Sequence, residues 1–270
     1  MMKKLDKRTN KIIISILLVA TLLISGAFAL LSAYDSRTNR FTQGTLSLSL
    51  TETNWQDTNA RNMLPLQSVS KNPQVINDNE DNIPAWIFIS VKVPSTNAEY
   101  ETGTAPTSKA ADGSNLKADD IGNYYDLFNL EYGGITGVNN DDWELVAYDA
   151  SKRNQDRGYT VYYYVYKNGA LEGYKRNSTS TEGGTVITES GVTSELFSAV
   201  QLVDIAQRPD DSKIINAIDV QGSGIQQSNI SNVYKAWAIF ANQNNGTNNV
   251  SNFTYLNNGY GFDNGVVIFN

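Results

Sequence analysis

Residues 84–94, PAWIFISVKVP, decide the fold class of this chain. Trp86, Phe88, Ser90 and Lys92 fall on one side of an extended strand, and Ile87, Ile89, Val91 and Val93 on the other. Successive side chains of a strand point to opposite faces, so the β-branched row is expected to point into a core. Working outward, residues 45–52 (TLSLSLTE) repeat the period of two, with Leu46, Leu48 and Leu50 on one face and Thr45, Ser47, Ser49 and Thr51 on the other. Residues 159–166 (YTVYYYVY) are apolar on both faces, and Asn168-Gly169 just beyond them predicts a tight hairpin turn, because both residues tolerate positive φ.

Further strands are expected at 143–148, 197–205, 214–220 and 233–241, and the apolar quartet Val266-Val267-Ile268-Phe269 predicts a last one. Short strands separated by clusters of Asn, Asp, Gly, Ser and Thr indicate an all-β sandwich or barrel. Helix is expected only as short excursions, at 118–129 behind two acidic residues and at 191–199, where Thr193 or Ser194 is placed to cap. Residues 95–118, poor in large apolar groups, predict a mobile surface insertion, and 242–258 a polar, Asn-rich tail.

The N-terminus points to export. Lys3, Lys4, Lys7, Arg8 and Lys11 precede an uncharged apolar run over 12–33, the layout of a signal peptide. Such a run is also long enough to span a bilayer, which takes roughly 20 apolar residues. Ala27-Phe28-Ala29 offers the small, any, small pattern of a signal peptidase site, and polar sequence begins at once from Tyr34, so cleavage near Ala29 or Leu30 is the expectation. The chain then divides into a signal peptide helix over 1–30, an N-terminal segment over 31–44 and a sandwich domain over 45–270. The membrane is met only through the signal segment.

Composition removes whole classes of function. The formal charge is −7, and loss of 1–30 takes away the five basic residues above and Asp6, leaving the remainder four charges more negative. An acidic surface repels phosphate backbones, so nucleic acid is not an expected partner. There is no cysteine and no histidine. The first means that an exported chain holds together without disulfides; the second excludes Ser-His-Asp triads, HExxH zinc sites and histidine proton shuttles. No catalytic residue, cofactor or metal ligand is assigned, and the chain is not read as an enzyme. Two acidic clusters, 78–82 and 139–142, lack the order of a calcium loop and are read as solvated turns. Tyr162, Tyr164 and Tyr166 present two readings, a sugar-facing ladder or sheet packing, of which packing is preferred.

Residues 38–55 (TNRFTQGTLSLSLTETNW) resemble the N-terminal motif of the TasA/camelysin family, with Asn39, Phe41, Thr42, Gly44, Glu52 and Trp55 at the matching positions. Residues 71–77 (KNPQVIN), with Lys71, Pro73 and Asn77, and the strand carrying Phe88 are similar to the blocks that follow in that family. The resemblance implies a Gram-positive bacterial protein exported through a SipW-type signal peptidase. It further implies a jelly-roll-like β-sandwich located at the cell surface or in the extracellular matrix, as a fibre component of biofilm. Its partners would be copies of itself or other matrix proteins. In such fibres the segment behind the signal is donated to the sheet of the next subunit, here Leu31 to Phe41 with Tyr34 between them. The alternative is a monomeric surface-displayed module that binds a glycan or host surface.

Overall fold

The computed structural model describes residues 47–54, 63–79, 82–98, 108–109, 115–116, 124–181, 184–206, 212–215, 217–243, 250–257, 259–263 and 265–269. In chain order the strands are β1 (Leu48–Glu52), β2 (Ser68–Ser70), β3 (Pro73–Asn77), β4 (Ala85–Thr96), β5 (Ser108–Lys109), β6 (Asn115–Leu116), β7 (Tyr125–Asp126), β8 (Phe128–Tyr132) and β9 (Ile135–Thr136). They continue with β10 (Trp143–Lys152), β11 (Tyr159–Tyr166), β12 (Lys175–Thr181), β13 (Gly184–Ser190), β14 (Ala199–Leu202) and β15 (Asp219–Gln226). After helix α1 (Val233–Gln243) come β16 (Phe253–Tyr255), β17 (Tyr260–Asp263) and β18 (Val266–Phe269).

The fold is an all-β sandwich built on β4. The main antiparallel sheet runs β15-β4-β11-β10-β16, with β7 on the far end of β4, and the second runs β2-β14-β8-β9. The expected β-branched face of β4 (Ile87, Ile89, Val91, Val93) enters a core shared with Leu145, Tyr162, Tyr164, Leu196, Phe197 and Val200. Its other face is buried as well. Trp86 and Phe88 pack with Val165, Trp237, Phe253 and Val267 in a second core, and Phe88 lies 5.2 Å from Phe240 between ring centroids. The main sheet is therefore covered on both sides, which accounts for the apolar character of both faces of β11.

The second cover corrects an expectation. Residues 233–241 form a helix rather than a strand. Val233, Ala236, Trp237 and Ala241 recur at spacings of three and four and are all buried, and the Asn232 Oδ1 accepts the Lys235 amide at 2.9 Å as an N-cap. Its alanines favour helix intrinsically. Both expected helices give way in turn. Of 118–129, residues 118–123 lie outside the described residues and the rest carries β7 and the start of β8, while 191–198 form an irregular connection into β14. There the Thr193 hydroxyl accepts the Val75 amide at 3.0 Å and the Thr193 amide donates to the Val75 carbonyl at 2.9 Å. This segment serves as a surrogate neighbour for β3, so Thr193 caps a strand, while the Ser194 hydroxyl accepts from the Asn139 side chain at 3.3 Å.

Asn168-Gly169 does not close a hairpin. Gly169 has φ +89°, but β11 pairs with β10 and β4, and the chain leaves the turn to form a single bridge from Leu171 to Ala85. The strand expected at 214–220 begins later, at Asp219, and that at 197–205 is confined to β14. Part of the polar tail is strand: Phe253–Tyr255 pairs with β10. The last strand falls where expected, with Asn242 bonding both the amide and the carbonyl of Val267 at 2.8 Å. Of 95–118, all but Ser95–Ala98, β5 and β6 lies outside the described residues.

One buried ion pair fastens the far end of β4. Arg153 and Asp126 are 0% and 1% exposed at the side chain and 3.3 Å apart. Asp126 also accepts from the Thr160 hydroxyl at 3.2 Å and from the Tyr162 hydroxyl, while the Ser95 hydroxyl donates to the Arg153 carbonyl at 2.7 Å. Removing one member of such a pair leaves a buried charge uncompensated, so Asp126→Ala is expected to lower the denaturation free energy by about 3–5 kcal/mol. Replacing both partners, Asp126→Leu with Arg153→Met, should cost less; equal or greater loss in the double variant would contradict the ion-pair account.

Burial also raises tyrosine pKa values. Tyr255 is pushed up to about 12 by burial, and Tyr234 to about 12 by burial and by its hydrogen bond to Glu144. A raised folded-state pKa contributes stability that is intact below the ordinary tyrosine value of 10 and is lost as pH rises through the folded value. Urea midpoints should hold up to about pH 10 and fall steeply toward pH 12. A flat profile across that window would rule this out.

Candidate functional site

Sheet edges are the places where a sandwich of this type can accept another chain, because their outer N–H and C=O groups lack partners. Most edges here are short or blocked. β2 and β16 have three residues each and β9 two, and β18 has Val267 held by Asn242. The ladder of β12 and β13 carries Lys175, Arg176 and Glu189.

β15 differs. It is eight residues long, it pairs with β4 in unbroken register from Asp219 opposite Lys92 to Gln226 opposite Ala85, and among the described residues it pairs with nothing else. Its sequence, DVQGSGIQ, has no proline, no lysine and one charge, at its first residue. Charges, proline and bulges are the usual protections of an edge strand. Parity follows from two flanking bonds: the Gln227 amide donates to the Pro84 carbonyl, and on the other side of β4 the Ser95 amide donates to the Gly158 carbonyl. Asp219, Gln221, Ser223 and Ile225 therefore face β4, and Val220, Gly222, Gly224 and Gln226 turn their backbone groups outward.

The two glycines are required by what lies above them. A Cβ on Gly224 would stand 2.8 Å from Leu48 Cδ1 and from the Trp86 carbonyl oxygen, and one on Gly222 would stand 3.0 Å from Val75 Cγ2. The β1–β3 pair thus sits directly on the edge strand, with Leu48 opposite Asn77 and Leu50 opposite Val75.

Several residues singled out in the sequence hold that pair in place. Lys71 and Glu52 form an ion pair at 2.7 Å, with side chains 8% and 20% exposed, and Pro73 stands opposite Glu52. At the other end the buried Asn77 amide donates to the carbonyls of Ile83 at 2.9 Å and Leu171 at 2.8 Å. Asn72 accepts the Asn54 amide and donates to the Thr53 hydroxyl, closing the turn after β1. Phe88 lies apart from these, in the core on the opposite face of the main sheet. Ala27, Ala29, Leu30, Leu31, Tyr34, Asn39, Phe41, Thr42, Gly44 and Trp55 lie outside the described residues.

Other candidates resolve into packing. Tyr162 and Tyr164 are 4% and 2% exposed and belong to the core, and Tyr166 is partly buried against it, so the three pack in the sheet. Burial first, and then the Asp126 carboxylate, raise the Tyr162 pKa well above its usual value. In the 139–142 cluster, Asp142 accepts from Asn139 at 3.0 Å and from Asn168, tying its loop to the end of β11. A hydrogen bond from Ser194, opposed by partial burial and joined by those from Asn168 and Asn139, holds its carboxyl below the ordinary value. In the 78–82 cluster, Glu80 and Asp81 lie outside the described residues, and Asn82 accepts the Gly173 amide at 3.1 Å. Among the described residues no helix is long and apolar enough to cross a membrane.

The edge itself escaped the sequence reading. The strand expected there stops at 220, short of Gly222-Ser223-Gly224. The available signal was Val220, Gly222, Gly224 on one face, since glycine at alternate positions of a strand marks a close approach by another element. Comparisons of the chain with protein-family models, with curated proteins and with solved structures find no match.

Gly224→Val is expected to overpack the contact with Leu48 and the Trp86 carbonyl and to destabilise the domain by about 1–3 kcal/mol. A thermal melt unchanged from the parent would show that β1 does not press on the edge strand.

Proposed function

We propose that this chain is a secreted structural protein of the cell surface or biofilm matrix, resembling the TasA/camelysin family, that polymerises by adding a strand from one subunit to the sheet of the next. The observation that carries the reading is the unprotected edge of β15, eight residues with four outward pairs of backbone groups. The basic and apolar N-terminus supports export, and the motif series Glu52, Lys71, Pro73 and Asn77 supports the family likeness by fixing the β1–β3 layer over that edge. The donated segment is Leu31 to Phe41, released by cleavage near Ala29.

Each backbone hydrogen bond contributes about 0.5–1.5 kcal/mol net. Ordering a free segment costs about 1–2 kcal/mol per residue in backbone entropy. The two come close to cancelling over a ladder of this length, so strand addition also depends on side chains that the segment buries.

The full chain, exported from a bacterial host that supplies the matching signal peptidase, should form polymers visible by sedimentation and electron microscopy. Deletion of 31–44 or the edge variant Gln226→Pro should leave monomers with an unchanged melting temperature, since the Gln226 amide faces outward and makes no ladder bond. Polymer formation unaffected by both changes would defeat strand addition at this edge. A parent protein that stays monomeric at all concentrations, pH values and salt would defeat assembly altogether.

A further inference from the structure

A pocket of about 530 Å³ lies where β15 runs out, lined by Pro84, Gln227, Ser228, Asn229, Ile230 and Ser231. Its frame is held at several points. The Gln227 amide bonds the Pro84 carbonyl at 2.9 Å, the Ile230 amide closes a turn onto the Gln227 carbonyl at 2.9 Å, and the Trp86 indole donates to the Ile230 carbonyl at 3.3 Å. Asn229 takes the left-handed conformation, φ +61°, that this turn requires. Apolar surface from Pro84 and Ile230 is bordered by the side chains of Gln227, Ser228, Asn229 and Ser231, a mixture suited to a ring with a polar tip.

The pocket lining begins at Gln227, the residue after the end of β15, and the proposed donor segment has two aromatic residues, Tyr34 and Phe41. Every strand pair among the described residues is antiparallel, so an added strand continues the main sheet by running antiparallel to β15. Its N-terminal end then lies beside the pocket. Tyr34 and Phe41 are seven residues apart, as are Gln227 and Val220. A register with Phe41 opposite Val220 therefore places Tyr34 opposite Gln227. An odd spacing sends the two rings to opposite faces of the sheet. Phe41 goes to the side where Val220 packs against the first core, and Tyr34 to the side of Ile230, which packs against the second. The same register sets Arg40 diagonally across from Asp219, the one charged residue of β15.

We infer that the pocket is a receptor for Tyr34 of a second copy of the chain, and that this tyrosine fixes the register and direction of the added strand. The inference rests on the strand-addition reading above. It supplies the buried side chain that backbone pairing by itself lacks.

Because the chain contains no cysteine, disulfide trapping gives an unambiguous test. Exported full-length chains carrying Tyr34→Cys are mixed with chains carrying Ser228→Cys under mild oxidation, alongside the pairs Phe41→Cys with Val220→Cys and Phe41→Cys with Ser228→Cys. The first two mixtures should give intermolecular dimers and the third should not. In the cysteine-free background, Tyr34→Ala should raise the concentration for half-assembly by about tenfold, as expected for losing one buried aromatic side chain, and Tyr34→Phe by less. Dimers from Phe41→Cys with Val220→Cys but not from Tyr34→Cys with Ser228→Cys would overturn the tyrosine receptor while leaving strand addition intact. Dimers chiefly from Phe41→Cys with Ser228→Cys would overturn the antiparallel register. A disulfide inside single chains carrying both Tyr34→Cys and Ser228→Cys, with no dimer in the mixture, would overturn the second copy as the source. No dimer in any mixture, with no polymer, would fail the strand-addition reading itself.

Discussion

Everything in this molecule hangs on the double-sided burial of β4. Its odd-numbered residues, Ile87 to Val93, enter one core, and Trp86 and Phe88 enter the other. With both faces committed, its two backbone edges must also be filled, by β11 on one side and β15 on the other. A central strand of this kind cannot slip by one residue without exchanging its isoleucines for its aromatic residues, so it fixes the register of both neighbours. The buried pair of Arg153 and Asp126 pins one end of that register, and the bridge from Ala85 to Leu171 the other.

The consequence for function lies one strand further out. β15 is held firmly on its inner side and, among the described residues, pairs with no strand on its outer side, and its two glycines let Leu48 and Leu50 lie almost on its backbone. Among the described residues of the family-like motif, Glu52, Lys71, Pro73 and Asn77 lock β1 and β3 above the edge. A rigid edge is a better acceptor than a loose one, because less ordering entropy remains to be lost when a strand is added.

The fold class was legible from the sequence because it is encoded by local alternation. β1 and β4 announce themselves through period-two patterns of large apolar residues, and β11 through an apolar run of strand length. What was not legible depended on tertiary contacts. Residues 233–241 alternate well enough to pass for a strand, and only Trp86, Phe88 and Tyr163, waiting on the sheet below, make the helical spacing of Val233, Ala236 and Trp237 the better burial. Thr193 reads as a helix cap because capping chemistry is the same whether the amide belongs to a helix or to β3. The candidate edge was hidden for a third reason: its glycines have no side chains to form a pattern, and their meaning comes from Leu48 and Leu50, some 170 residues away in sequence.

Hydrogen exchange at single residues of β15 tests the account most directly. In dilute exported protein, the amides of Gln221, Ser223 and Ile225 should be protected by β4 while those of Val220, Gly222, Gly224 and Gln226 exchange quickly. In the concentrated, assembled state all seven should be protected. Slow exchange at Gly222 and Gly224 already in the dilute state, or fast exchange there after assembly, would contradict an edge that is free in the monomer and filled in the polymer.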